Sequence, residues 1–482
     1  MYLGIDLGTS SVKALLVDDD DAVLAEASAP LSVSRPHPGW SEQDPADWYE
    51  ATLAAVDALR ELAPEALGAT AGIGLSGQMH GAVLLDAAHR VLRPCILWND
   101  GRAAAECVEL ESVLRGITGN IVAPGFTAPK FAWVRKHEPD VAAATALVLL
   151  PKAYLRLKLS GEVAEEMSDA SGTLWLDIAA RDWSDVALAA TGLSRGQMPR
   201  LVEGTAQTGR LRPELAARWG MASAPVIAGG AGDNAATAIG LGASAAGDSF
   251  VSLGTSGVLW ATTDRFRPNP AQGVHAFCHA LPHRWHQMGV ILAASGSLEW
   301  WSSVCGVPVP DLVDEVGPPP AGPAGPLFLP YLSGERTPHN DAQVRGAFLG
   351  LGAGTSRAAL TQAVLEGVAF AFRDGLDALQ AAGTRIEHAI LSGGGSRSST
   401  WAAILAASLG IPLSRPVAGE YGAALGAARL GRMAVTGEDP AVVCRKPALA
   451  DTMHPDKALE DAYAARLARY RAAYPMLKDL ST

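Results

Sequence analysis

"MYLGIDLGTSSVKALLVD" occupies residues 1–18, and a close counterpart, "DSFVSLGTSGVLWATTD", occupies 248–264. Each is an apolar run, then Leu-Gly-Thr-Ser, then a second apolar run. Runs of this kind read as strands, and the Gly-Thr-Ser between them as a tight turn joining an antiparallel pair. Such a turn exposes backbone N–H groups and hydroxyls with no bulky side chain in the way, which is a concavity suited to phosphate oxygens. A lone Gly-Thr-Ser is most simply an ordinary hairpin turn. Its recurrence in matching context about halfway along the chain predicts two similar halves. One half presents Gly8, Thr9 and Ser10, the other Gly254 and Thr255, to a polyphosphate cradled from both sides. The copies differ where Asp6 stands in the first and Ser252 in the second. A single carboxylate suits one Mg²⁺ site, because Mg²⁺ is usually held by one or two carboxylates plus phosphates. Asp6 is therefore the candidate metal ligand. The Walker loop is excluded, since no Gly-Lys-Ser/Thr opens a helix after the first strand.

A chain of 482 residues is too long for one core and fits two domains around a cleft, divided here as 1–242 and 243–482. With 49% hydrophobic residues, both are able to pack well. The net charge of −12 argues against nucleic acid or an anionic membrane as partner, both of which need a basic surface. No apolar run approaches a membrane helix and no basic leader precedes one, so a cytosolic protein acting on a small solute is expected. The five cysteines are widely spaced without a C-x-x-C pair, and read as reduced, mostly buried side chains.

After three short strands, the pattern changes at Asp44 to "DPADWYEATLAAVDALREL", an Asp-capped amphipathic helix with Pro in its first turn. Further strands follow, and "APVIAGG" leads through a glycine loop into a small-residue helix, "NAATAIGLGA". The stretch "GLGASAAGDS" at 240–249 reads as the crossing between halves. The second half repeats the scheme, with a long helix over "SRAALTQAVLEGVAFAFRDGLDALQAAG". The run "EVGPPPAGPAGP" at 315–326 reads as a linker without chemical content, and the last thirty or so residues as a polar helical surface brace.

The paired phosphate hairpins resemble the actin, sugar kinase and Hsp70 superfamily. That resemblance implies an α/β protein of two ribonuclease-H-like domains flanking a central cleft and closing on ATP. Within it, "GFTAPKFAWVRKH" and the "GGAGDN" loop resemble the FGGY carbohydrate kinases. "SRPHPGWSEQDP", "GLSGQMHGAVLLD", "RPCILWNDGR" and "LPYLSGERTPHND" are similar to the xylulokinases among them. The resemblance implies transfer of phosphate from ATP, with Mg²⁺, to a pentulose such as D-xylulose. Two alternatives stay open: an FGGY kinase for ribulose, a polyol or a deoxy-sugar, and an actin- or Hsp70-like ATPase driving a switch. The polar, glycine-flanked loops favour a small-solute pocket over the switch. The oligomeric state is left open, a homodimer included.

Phosphoryl transfer to a hydroxyl needs somewhere for the hydroxyl proton to go. Asp233, after the glycine loop and before a helix, is the candidate base, with a helix N-cap as its structural alternative. By resemblance, Asp233 matches the family's general base and Asn234 a sugar-contacting neighbour. The loop "GQMHG" points Gln78, Met79 and His80 toward the acceptor, although a lone His is more often a structural hydrogen-bonding residue. Trp40 either offers a flat face to the sugar or anchors its loop, and Trp98, Asn99, Asp100 and Arg102 are placed on the same wall. In "AILSGGGSRSSTW", a strand leads through three glycines to a Ser/Thr-capped helix, so that a flat ring or ribose meets backbone at Gly394 and Gly395, with Ser398 beside them. An ordinary tight turn is the alternative there. The family pattern adds Ser295 and Glu299 near the adenine. Sugar and nucleotide are thus expected on different halves.

Overall fold

The computed structural model describes residues 1–417 and 422–480. In the first half, β1 (Tyr2–Leu7), β2 (Ser11–Val17) and β3 (Val23–Pro30) form an antiparallel ribbon, followed by helix α1 (Pro45–Leu62) and strand β4 (Gly72–Gly77). Helices α2 (Thr127–His137) and α3 (Pro151–Ser160) precede strands β5 (Gln207–Arg210), β6 (Val226–Ala228) and β7 (Ala231–Gly232), and helix α4 (Asp233–Gly240) ends this half. The strands lie in the order β5-β6-β4-β1-β2-β3, with β7 also alongside β4.

The second half opens with β8 (Ser249–Leu253), β9 (Gly257–Thr263), β10 (His275–Cys278) and β11 (Trp285–Ile291). Helices α5 (Ser295–Cys305) and α6 (Arg357–Ala381) lead to β12 (Ala389–Ser392), α7 (Ser399–Leu409) and β13 (Leu413–Pro416). Helix α8 (Gly422–Thr436), strand β14 (Leu449–Met453) and helix α9 (Lys457–Leu480) complete it. Its sheet runs β10-β11-β9-β8-β12-β13-β14. In both halves the hairpin pair is antiparallel and the next strands inward, β4 beside β1 and β12 beside β8, are parallel. The repeat seen in the sequence is a repeat of fold. The two turns are not identical: Leu7 pairs with Val12, leaving residues 8–11 in the turn, whereas Leu253 pairs with Gly257, leaving 254–256.

Strand periodicity decides what each face of β1 does. Leu3, Ile5 and Leu7 are fully buried in the cluster that holds Trp48, Val56 and Leu59 of α1. Asp44 caps that helix, accepting from the Ala46 amide at 2.9 Å. The opposite face carries Tyr2, Gly4 and Asp6, and here α8 of the second half lies on the first half's sheet. A Cβ on Gly4 would sit 1.9 Å from the Ala424 carbonyl oxygen, and one on Gly74 1.7 Å from that of Ala427. Only glycine admits a helix so close. Helix α8 meets α4 equally closely, through Gly426 against the Ala236 carbonyl and Gly240 against that of Gly422.

Two expectations need correction. Residues 315–326 are not featureless: helix Val309–Val316 enters them, and the Ala324 amide donates to the buried carboxylate of Glu366 at 2.9 Å. Nor is α9 a polar surface brace. Leu459, Tyr463 and Tyr470 are buried in the second core, and the Tyr463 hydroxyl donates to Glu366 at 3.1 Å. Among the described residues no helix is long and apolar enough to cross a membrane.

Candidate active site

The glycine loop before α4 delivers Asp233. Gly230 has φ +72°, and a Cβ there would meet the Leu75 carbonyl oxygen at 2.1 Å, so the loop passes directly against β4. A Cβ on Gly232 would meet the Met79 sulfur at 2.8 Å. Asp233 is the first residue of α4, not its cap: Gly232 holds the cap position and no side chain closes it. The Asp233 carboxylate accepts through Oδ1 from the Asn234 amide at 2.7 Å and from Asn234 Nδ2 at 3.0 Å. Burial, and then the charge of Asp6, push its pKa up to about 6. Asp6 itself is raised by burial, against the hydrogen bond it accepts from Ser76 Oγ at 2.8 Å.

Asp233 and Asn234 line a cavity of about 210 Å³ together with Met79, His80, Trp98 and Phe126. The second half closes it with Ser256, Val258, His275, Phe277, Met288 and Arg336. This pocket is walled by both halves and not by the first alone. His80 sits in it with φ +70°. Its carbonyl accepts from Lys130 Nζ at 2.9 Å and Thr127 Oγ1 at 3.1 Å, two residues of the "GFTAPKF" stretch. Lys130 is wholly buried, which brings its pKa down to about 7. Burial likewise holds the His80 pKa down to about 3, so the ring is neutral. Its Nδ1 lies 2.7 Å from the Gly172 carbonyl. A carbonyl only accepts, so Nδ1 carries the proton and Nε2 is left as an acceptor.

Gln78 and Trp40 stand elsewhere. Gln78 is 2% exposed and braces the first hairpin: its Oε1 accepts from Thr9 Oγ1 at 3.0 Å and its Nε2 donates to Gln43 Oε1 at 2.9 Å. Trp40 packs over the Arg102 guanidinium at 3.6 Å and edge-on to Trp133, so it is the loop anchor. Arg102 in turn pairs with Asp100 and Glu42, each at 2.7 Å, and these form the wall's support, not its surface. Trp98 does reach the cavity, 45% exposed, and its Nε1 donates to Thr9 Oγ1 at 3.0 Å.

A second cleft, of about 700 Å³, opens between the halves, with Lys13 and Thr237 on one side and Ser252, Gly393, Gly394 and Arg397 on the other. Gly394 lines it. Gly395 does not: a Cβ there would meet Ser295 Oγ and the Trp401 ring, each at 2.8 Å, so this glycine serves packing. Ser398 caps α7, accepting from the Trp401 amide at 3.1 Å. Ser295 spends its hydroxyl on the Leu253 carbonyl at 3.0 Å and its amide on that of Gly254 at 2.9 Å, which fixes the second hairpin to α5. Thr255 is tied to the same helix, its carbonyl accepting from Ala294 at 2.9 Å and Gly296 at 3.1 Å. Glu299 is exposed on α5 and lines neither cavity, and the hairpin tips Gly8, Thr9, Ser10 and Gly254 line neither as well.

A model of the FGGY family of carbohydrate kinases, N-terminal domain, matches residues 1–240, and its C-terminal counterpart matches 249–435. The chain belongs to the FGGY family of carbohydrate kinases. It is 49% identical over 485 residues to the xylulose kinase of Escherichia coli (strain K12), with 100% of each chain covered. Against that of Bacillus subtilis (strain 168) it is 35% identical over 488 residues, covering 100% of this chain and 98% of the other. A crystal structure described as a xyloylose kinase from Brucella ovis superposes with TM-score 0.97 at 56% identity, over 99% of both chains. The two-domain α/β fold expected from the sequence is thus the fold of FGGY kinases. Residue-level reasoning missed the second-half wall, His275, Phe277, Met288 and Arg336, and the Lys130 brace. Their signals were present: "HAFC" alternates so that His275 and Phe277 share a face, and Arg336 lies in "LPYLSGERTPHND".

Proposed function

We propose that the protein catalyses ATP-dependent phosphorylation of D-xylulose to D-xylulose 5-phosphate. The observation that carries the reading is a cavity of about 210 Å³ with one carboxylate, Asp233, and two neutral imidazoles, His80 and His275, on its wall. A carboxylate at about 6 is ionised at neutral pH yet basic enough to take a hydroxyl proton as the phosphoryl group arrives. Asn234 holds Oδ1 of that carboxylate, and His80 Nε2 accepts from a second sugar hydroxyl. The adjoining cleft of about 700 Å³ suits a nucleotide, with Gly393 and Gly394 admitting a flat ring. The oxygen donors present fit Mg²⁺. Asp6 is a half-buried carboxylate with Ser76 on one oxygen, near a second carboxylate, and this ion needs little more protein ligation beside phosphates. Asp6 would hold it, and it would neutralise phosphate charge. The relatives named xylulose kinase support pentulose as the acceptor class. The test is kcat/KM on purified protein for D-xylulose, D-ribulose, L-ribulose, L-xylulose and glycerol with Mg²⁺ and ATP. D-xylulose is expected to lead. A better ribulose or glycerol substrate overturns the assignment, and ATP turnover indifferent to every sugar overturns the kinase reading.

A further inference from the structure

Arg336 is a cation in the sugar cavity with no counter-charge of its own. Among the described residues no carboxylate comes within ion-pairing distance of it, and its one side-chain hydrogen bond runs from Nη1 to His275 Nε2 at 3.2 Å. The adjacent Glu335 is turned away, its Oε1 accepting from the Leu292 amide at 2.9 Å and the Arg336 amide at 2.7 Å. A guanidinium donates only, so His275 Nε2 is the acceptor, and the remaining N–H groups of Arg336 are offered to the cavity. A half-buried cation so placed is costly unless something in the pocket accepts from it.

Position decides what that something is. Arg336 is held by His275, whose ring centroid lies 5.6 Å from those of both Phe126 and Phe277, the rings that His80 meets at 4.6 Å and 6.3 Å. Asp233 bonds instead to Asn234, on the wall that α4 supplies. The aromatic end of the cavity therefore combines a donor-only guanidinium with the acceptor Nε2 of His80. An open-chain ketose whose terminal hydroxyl lies at Asp233 brings its hydroxyketone to that end, an acceptor-only carbonyl oxygen beside a hydroxyl. Donor meets carbonyl and acceptor meets hydroxyl.

We propose that Arg336 reads the carbonyl oxygen of the acceptor sugar and is the residue by which this site distinguishes a ketose from the corresponding alcohol. The inference rests on the reading of the protein as a pentulose kinase and adds the orientation of the substrate within it.

The experiment compares D-xylulose with xylitol and D-arabinitol, the two alcohols made by reducing its carbonyl. In Arg336→Met, kcat/KM for D-xylulose should fall about 10- to 100-fold, as expected for loss of a charge-assisted hydrogen bond. The pentitols should lose far less, so that the ketose-to-pentitol ratio collapses at least about tenfold. Arg336→Lys, which keeps the charge and fits the site if the apolar variant does not fold, should lower the ratio in the same direction by less. Thermal unfolding reports the fold of each variant. Equal losses on ketose and alcohols, or an unchanged ratio in both variants, overturn the proposal while leaving pentulose phosphorylation intact. A wild-type protein that ignores pentuloses but phosphorylates another ketose ends the pentulose reading instead, and the ratio for that ketose and its alcohol then decides the role of Arg336. A wild-type protein that accepts only alcohols ends both.

Discussion

At position 233 two effects act in one direction: partial burial disfavours the charged carboxylate, and the charge of Asp6 opposes its ionisation. Both raise the pKa, to about 6. A general base works as the ionised form, so the rate should be level above that value and fall about tenfold per pH unit below it. Asp233→Asn keeps an oxygen to accept from the Asn234 amide but takes no proton. Because Gly232, not Asp233, occupies the cap position of α4, the substitution removes no cap. The expected outcome is a melting temperature near wild type, retained ATP binding, and kcat lowered by about 10² to 10⁴. Retention of more than about a tenth of wild-type kcat would exclude the base role. Asp233 and His80 were legible because a glycine-flanked polar residue between apolar runs has few places to go. Gln78 and Trp40 were not, since sequence does not say to which side of a loop a side chain turns: Gln78 found Thr9 and Gln43, and Trp40 found Arg102.

Helix α8 shows what an element contributes that its residues do not announce. "GAALGAARLGRMAVT" reads as a small-residue helix, and nothing in it says that it lies on the other half's sheet. The partner glycines, Gly4 and Gly74 in strands, are the complementary half of that signal, and only the fold brings the two together. The contact has a measurable consequence. A methyl group on Gly426 would lie 1.8 Å from the Ala236 carbonyl oxygen, backbone that has no rotamer to yield. Gly426→Ala should therefore destabilise by about 1–3 kcal/mol through overpacking, despite the better helix propensity of alanine. Gly116, exposed within helix Ala104–Thr118, has nothing within 4 Å of its would-be Cβ. Gly116→Ala should stabilise by about 0.5–1 kcal/mol. Denaturation of the two variants side by side gives opposite signs if the α4 and α8 backbones are in contact. A stable Gly426→Ala protein would mean they are not.

The repeat in the sequence made the two halves legible, yet it is silent on how they meet, because that depends on contacts between segments hundreds of residues apart. They are fastened along two seams, one of them at α8. Arg429 of α8 donates to the carbonyls of Ile239 at 2.8 Å and Gly240 at 3.1 Å, and pairs with Asp21 at 3.0 Å. Gln207 Nε2 reaches the Ala434 carbonyl at 2.7 Å. The cavity and the cleft lie between the halves and take walls from both, so each ligand touches both halves and each favours their approach. A second seam lies at β10 and the turn after it, where Asn120 Nδ2 donates to the Ala276 carbonyl at 2.9 Å, the Cys278 amide to Ser171 Oγ at 3.1 Å and the Gly204 amide to the Ala280 carbonyl at 3.0 Å, so any approach of the halves pivots on both seams. Closure also serves the chemistry, since water excluded from the phosphate does not compete with the sugar hydroxyl. A pentulose and a non-hydrolysable ATP analogue together should therefore reduce the radius of gyration in small-angle scattering by more than either does alone. The added compaction should be weaker in Arg336→Met, which takes away a second-half contact to the sugar without touching the α4–α8 joint. Unchanged dimensions with both ligands shown to be bound would mean that the halves hold one fixed separation throughout the reaction.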